Sequence, residues 1–302
     1  MTGRLRWPRM LRAARHRPSA PAAPPYATVL RLAVLLQAGI APAGAWRYLA
    51  RGGDADADRV MAGYQEGSPL ADRIAVLGAG WSPVAAAWSV ATVVGAPLAD
   101  ALRAMAAALR DADEGRDEIR VALAEPAATS RLMTWLPLLS VALGVVLGFD
   151  TLAALATPAG LACAAVGVTL MIAARRWTGR MVAAAQPPAG VPGLYPELVA
   201  IALTGGVSLS RAQQLAGAHE SPDAESPRLL ALSGDAGIPA VELLRAAAAL
   251  ERHRSRTEGR LRAAALQTRL MLPLGVCVLP AFMVLGVAPL VLGILGTTPM
   301  TV

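Results

Sequence analysis

Two long apolar stretches organise the chain: residues 132–174, where Asp150 is the only charge, and residues 270–302, where there is none. The first is broken at Asp150-Thr151 and predicts two spans, about 132–149 and 152–174. Each approaches the length that crosses ~30 Å of hydrocarbon at a rise of about 1.5 Å per residue. Trp135 near the first start and Arg175-Arg176-Trp177 at the second end read as an interfacial anchor and a stop. A third span follows at about 270–296, and Pro273, Pro280 and Pro289 are expected to kink it or to leave its first turn interfacial. Elsewhere apolar positions recur at helical spacing between glycine breaks, and no alternating strand pattern stands out. The predicted fold class is an all-α integral membrane protein with two cytoplasmic helical bundles and three transmembrane helices.

Charge gives this layout a direction. All 28 basic residues are arginines, sixteen in 1–131 and twelve in 175–269. Cytoplasmic segments retain Lys/Arg and hydrocarbon excludes ionised groups, so both arginine-bearing blocks face the cytoplasm. The expected organisation is a basic disordered tail at 1–26, a first cytoplasmic domain at 27–131, and a transmembrane hairpin with Asp150 outside. A second cytoplasmic domain at 175–269, the third span and an extracytoplasmic tail at 297–302 complete it. A signal peptide competes for residues 29–45, which end Ala43-Gly44-Ala45. Arg31 and Gln37 interrupt that run, and cleavage would export the nine arginines from Arg47 to Arg131, so the membrane-protein layout is preferred.

The two blocks echo one another. Leu36-Gln37-Ala38-Gly39-Ile40 matches Leu203-Thr204-Gly205-Gly206-Val207, and Ser82-Pro83 matches Ser226-Pro227. Gly95-Ala96-Pro97 matches Gly237-Ile238-Pro239, each followed by Leu-Arg at 102–103 and 244–245. Glu114-Gly115-Arg116 matches Glu258-Gly259-Arg260, a correspondence at chance level alone, and Arg131-Leu132-Met133 matches Arg269-Leu270-Met271 ahead of Pro137 and Pro273. Matches in one order point to duplication. Their roles are structural: Gly39 and Gly206 end helices at positive φ, Pro97 and Pro239 open the next helix, and Ser208 is a candidate N-cap.

This arrangement resembles the F-domain family of type II secretion systems, type IV pili and tight-adherence (Tad) pili, over most of residues 27–296. The stretch from Arg269 to Phe282, continuing as Gly286-Val287-Ala288-Pro289-Leu290, is similar to the terminal segment of actinobacterial Tad C-type proteins. Leu194-Tyr195-Pro196-Glu197-Leu198 through Gly206-Val207-Ser208-Leu209 resembles the first hairpin of the domain, and the first block is the weaker match. The resemblance implies a non-catalytic inner-membrane platform protein between a cytoplasmic secretion ATPase and pilin-like subunits. A paralogous F-domain membrane protein and homo- or hetero-oligomers are further expected partners. It carries over no catalytic, cofactor-binding or metal residue.

The remaining signals narrow the alternatives. With no lysine, phosphate-loop and Schiff-base lysine chemistry is excluded. Acid is interspersed with arginine and no aromatic-basic stripe appears, which argues against nucleic acid. Cys163 and Cys277 sit in apolar segments, and His219 and His253 lack partners at metal-ligand spacing. Asp54, Asp56 and Asp58 depart from the EF-hand pattern and read as a solvated linker. The acidic run Asp111, Asp113, Glu114, Asp117, Glu118 reads as exposed helix pairing with Arg110, Arg116 and Arg120, or as a surface for the ATPase. Arg252, His253, Arg254, Arg256, Arg260 and Arg262 read as a topology anchor or a lipid or partner contact. Gly144 and Gly148 form a Gly-x-x-x-Gly suited to helix packing in the membrane. A small helical transporter or channel is the alternative function, disfavoured because the spans offer few polar groups to a solute.

Overall fold

The computed structural model describes residues 24–146, 157–185, 190–269, 272 and 274–288. The described residues are helical and include no strand. The tail at 1–23, Gly148, Asp150, Pro273, Pro289 and the segment 297–302 lie outside them. Contacts divide the chain into two compact units, Met1–Ala106 and Ala107–Val302. The division falls inside one helix.

The first unit is built from α1 (Pro25–Gln37), α2 (Pro42–Arg51), α3 (Ala55–Met61), α4 (Leu70–Ala75) and α5 (Ser82–Val94), and it includes the start of α6 (Leu98–Val146). Its core gathers Val29, Leu32, Trp46, Ile74, Val84, Leu102 and Met105. The Trp46 ring sits 6.0 Å from Trp81 and 6.2 Å from Trp88, both tilted, within the range where aromatic edges and faces attract. The apolar run that competed as a signal peptide is thus split into two helices, with Val29, Leu32, Ala33, Ala45 and Trp46 fully buried.

Residues 54–58 are not a linker. Asp54 is the N-cap of α3, its Oδ1 accepting from the amides of Asp56 and Ala57. Its Oδ2 accepts a 2.6 Å bond from Thr28 Oγ1. The alternating acids occupy the first turn of a helix, where free N–H groups and the positive end of the dipole favour them.

In the second unit α6 continues, followed by α7 (Pro158–Ala185), α8 (Leu194–Thr204), α9 (Leu209–Gly217), α10 (Ser226–Ala236) and α11 (Ala240–Arg269). The last described segment is α12 (Leu279–Phe282), flanked by π-helical turns Leu274–Val278 and Met283–Val287. Pro280 cannot donate to the carbonyl four residues back, so a regular α-helix is interrupted there. α7 continues through Arg175-Arg176-Trp177 to Ala185, just before Pro187-Pro188. Among the described residues one helix, Gly160–Ala184, is long and apolar enough to cross a membrane.

α7 packs against the segment around α12, with Ala174, Cys277 and Ala281 buried. A Cβ built on Gly167 would overlap Leu285, so the glycine is the hole into which that leucine fits. Gly167→Val is expected to lower the unfolding temperature of the detergent-solubilised chain, at an overpacking cost of about 1–3 kcal/mol. Gly167→Val combined with Leu285→Ala should recover part of the loss; equal Tm values for the single and double variants would refute this packing.

The helix order and turn geometry of the first unit recur in the second. Gly39 (φ 81°) and Gly206 (φ 79°) follow α1 and α8, each one position past a helix-ending residue near φ −75°. Gly95 (φ 74°) and Gly237 (φ 66°) close α5 and α10. The next amides, of Ala96 and Ile238, reach back to the carbonyls of Ala91 and Ser233, the Schellman pattern in both cases. α5 and α10 both open on Ser-Pro, and Pro97 and Pro239 immediately precede α6 and α11. Ser208 Oγ accepts from the Arg211 amide, capping α9. The first unit inserts α3 and α4 where the second has a short loop at 218–225. From Pro97 and Pro239 onward α6 and α11 are continuous, and a continuous helix cannot absorb a register slip. Glu114-Gly115-Arg116 and Glu258-Gly259-Arg260 are therefore out of register by two positions, which puts them on opposite faces.

Candidate functional site

The densest polar chemistry lies in the second unit, where the acidic run of α6 meets the arginine run of α11. Asp111 lies 3.2 Å from Arg252 Nε and 3.9 Å from Arg256, whose Nη2 donates to the Asp111 carbonyl at 2.9 Å. Glu114 lies 3.7 Å from Arg256, and Glu118 pairs with Arg260 at 2.7 Å. Within α6, Arg110 pairs with Glu114, Arg116 with Asp113 and Arg120 with Asp117. Every acid of the run is engaged inside the molecule. Asp111 and Glu118 are tied to α11, whose Arg252, Arg256 and Arg260 are likewise paired, whereas Asp113 and Asp117 pair only within α6 and Asp117 stays exposed.

The partners ascend both helices together, from 111 to 118 and from 252 to 260, so the helices run parallel here. Glu118 and Arg260 are 142 positions apart. The same separation relates Gly95 to Gly237 and Pro97 to Pro239. Corresponding positions of two similar helices thus face each other, glutamate on one and arginine on the other. Two copies of either helix in this register would set like charges opposite, which is unfavourable. Glycine allows the close approach: Gly115 faces Arg256, and a Cβ on Gly259 would overlap Ile119. Above it, Ile119, Ala263 and Leu266 form an apolar cluster with Met181 and Val182 of α7.

Beneath the surface pairs sits Glu197 of α8, 3% exposed. Arg252 stands 3.7 Å from it, close enough for charge attraction but too long for a hydrogen bond. Glu197 Oε1, Arg252 Nη1 and Arg245 Nε have no hydrogen-bond partner within the protein. Arg252 therefore links α11 to both α6 and α8 through carboxylates on either side. The available sequence signal for Glu197 was a lone acid in the apolar stretch of α8.

Burial pushes the Glu197 carboxyl above its ordinary value, against the pull of Arg252 and Arg245. The folded chain then binds this proton more readily than the unfolded chain. Its favourable contribution is present at acid pH and is lost as pH rises through the raised value. Glu118 behaves oppositely: the hydrogen bond from Arg260 holds its carboxyl below the ordinary value. Its contribution is present above the unfolded value of 4.5 and lost as pH falls through the lowered one. Glu197→Gln is expected to flatten the decline in Tm as pH rises above the ordinary carboxylate range. Parallel Tm–pH curves for wild type and variant would contradict the assignment.

The exposed Glu118–Arg260 pair should act mainly through register. Glu118→Arg is expected to lower Tm slightly at low salt, and Glu118→Arg with Arg260→Glu to restore it, both effects shrinking in high salt. A double variant no better than the single one would argue against the pairing.

The other motif residues are dispersed. Gly39, Gly95 and Pro97 lie at turns before and after helices of the first unit, Gly206, Gly237 and Pro239 at the matching turns of the second, Pro280 within α12, and Gly144 near the end of α6. They frame the helices and do not converge on one site.

Residues 29–146 match the family model of the type II secretion system (T2SS), protein F. The match runs from α1 through α6 and supports the F-domain family for this segment. It falls on the block whose motifs resembled that family less. The comparisons with curated proteins and with solved structures found no match. The F match thus ends with α6, before the helix that is long and apolar enough to cross a membrane.

Proposed function

We propose that this chain is a multi-pass platform protein of the cytoplasmic (inner) membrane in a type II secretion or Tad (Flp-type) pilus assembly machine. It couples a cytoplasmic secretion ATPase to pilin-like subunits and performs no catalysis of its own. The observation that carries this reading is the protein F match over 29–146 followed directly by the apolar helix Gly160–Ala184. Three exposed apolar surfaces support three spans: Trp135, Leu139 and Val146 on α6, Leu161, Val166, Val168 and Ile172 on α7, and Leu272, Val276, Leu279, Met283 and Val287 around α12. Patches of this kind seek lipid or a partner.

In this reading the N-terminus and both arginine-bearing blocks are cytoplasmic, and the recurring helix order reflects a duplicated F domain. A paralogous F-domain protein or a second copy completes the platform.

The test is genetic and biochemical. Deletion should abolish pili or secretion, and the tagged chain should co-purify with the ATPase; normal filaments in the deletion strain would end the proposal. A periplasmic reporter enzyme should be active when fused after Val302 and inactive when fused after Ala185.

A further inference from the structure

The arginines of this chain differ in whether a carboxylate answers them. Arg252, Arg254, Arg256, Arg260 and Arg262 of α11 all form ion pairs. Among the described residues Arg175, Arg176 and Arg180 of α7 and Arg269 at the end of α11 form none, and all four are exposed. α7 contains no acidic residue at all.

Their placement on the helix is ordered. Val168, Ile172, Arg176 and Arg180 are spaced four apart and exposed, so one stripe of α7 changes from apolar to cationic within a single turn. Arg175 and the half-exposed Trp177 flank the change. Arg269 lies about one turn beyond Leu266, which packs in the same cluster as Met181 and Val182 of α7. An acidic protein surface would answer the arginines but leave the adjoining Val-Ile stripe uncovered. A bilayer answers both, with acyl chains against Val168 and Ile172, an indole at the interface and phosphates at the arginines.

We propose that Arg175, Arg176, Arg180 and Arg269 form a binding surface for the headgroups of anionic phospholipids in the cytoplasmic leaflet. The guanidinium fork engages lipid phosphate with paired hydrogen bonds, which lysine could not reproduce geometrically. The proposal rests on the reading that α7 crosses the membrane.

The experiment uses the full chain in mild detergent with equal phosphatidylglycerol and phosphatidylcholine, counting retained lipids by native mass spectrometry. Wild type should enrich phosphatidylglycerol several-fold. R175Q/R176Q/R180Q/R269Q should lose that enrichment, while R254Q/R262Q, which removes arginines already paired with acid, should keep it. R175Q/R176Q alone should give an intermediate value and serves if the fourfold variant misfolds. Equal enrichment in the wild type and R175Q/R176Q, or equal loss in R254Q/R262Q, would overturn the surface. Flotation with pure phosphatidylcholine vesicles tests the membrane reading separately. A chain that floats but does not select phosphatidylglycerol defeats only the lipid surface, and one that does not float defeats both.

Discussion

Gly193→Ala is expected to destabilise the detergent-solubilised chain far more than Gly206→Ala, although both glycines have nearly the same backbone angle, φ 74° and 79°. An L-residue in this left-handed region costs about 1–2 kcal/mol, and that term is common to both sites. The surroundings differ. A Cβ at Gly193 would stand 2.6 Å from the Ala248 carbonyl oxygen and 2.8 Å from its Cα, whereas nothing lies within 4 Å of a Cβ at Gly206. The obstacle at Gly193 is the backbone of α11, which cannot rotate aside as a side chain can. Accommodation requires α8 and α11 to separate where Leu198 and Leu244 are fully buried. The total for Gly193→Ala should reach about 3 kcal/mol or more, in the range reserved for backbone strain combined with core disruption. Thermal unfolding of the two variants side by side measures the difference. Equal losses would show that the close approach of α8 to α11 is wrong.

Arg252→Met should be the most damaging change among the arginines. The side chain is 13% exposed and stands between Asp111 and Glu197. Methionine matches much of its volume, so the loss is electrostatic: a buried carboxylate at Glu197 keeps only Arg245 as a nearby countercharge. Removing one member of a buried pair typically costs about 3–5 kcal/mol, most of it the penalty on the charge left behind. Arg252→Met with Glu197→Gln should therefore recover a large part of the stability. Surface arginines such as Arg262, paired only with Glu258 on the same helix, should show almost no effect. A single variant with near-normal Tm, or a double variant worse than the single one, would contradict this account.

Turn residues were legible in the sequence because their conformations restrict residue type. Positive φ after α1, α5, α8 and α10 selects glycine, and those four glycines appear in matched pairs. The duplicate Ser-Pro openings were legible for the same reason, since proline suits a first helical turn. Asp54 was misread because alternating acids beside glycines look like a solvated stretch, while its bond to Thr28 joins residues from different helices. The acidic and basic runs were each visible, but composition does not reveal that one neutralises the other. That depends on the parallel register of α6 and α11, which long-range packing sets. The Glu-Gly-Arg match failed for a simple reason: letters can be aligned with a gap, and an unbroken helix cannot.

The pairing of α6 with α11 also imposes an order of events at the ribosome. Glu118 is made 142 positions before Arg260. At about 5–20 residues per second the wait is on the order of ten seconds. During that interval α7 has left the exit tunnel, while Asp111 and Glu118 remain hydrated and await their partners on α11. The pairing of α6 with α11 therefore closes only after α7 has been made. A chain truncated before α11 leaves Asp111 and Glu118 without those partners, while Asp113, Glu114 and Asp117 keep theirs within α6.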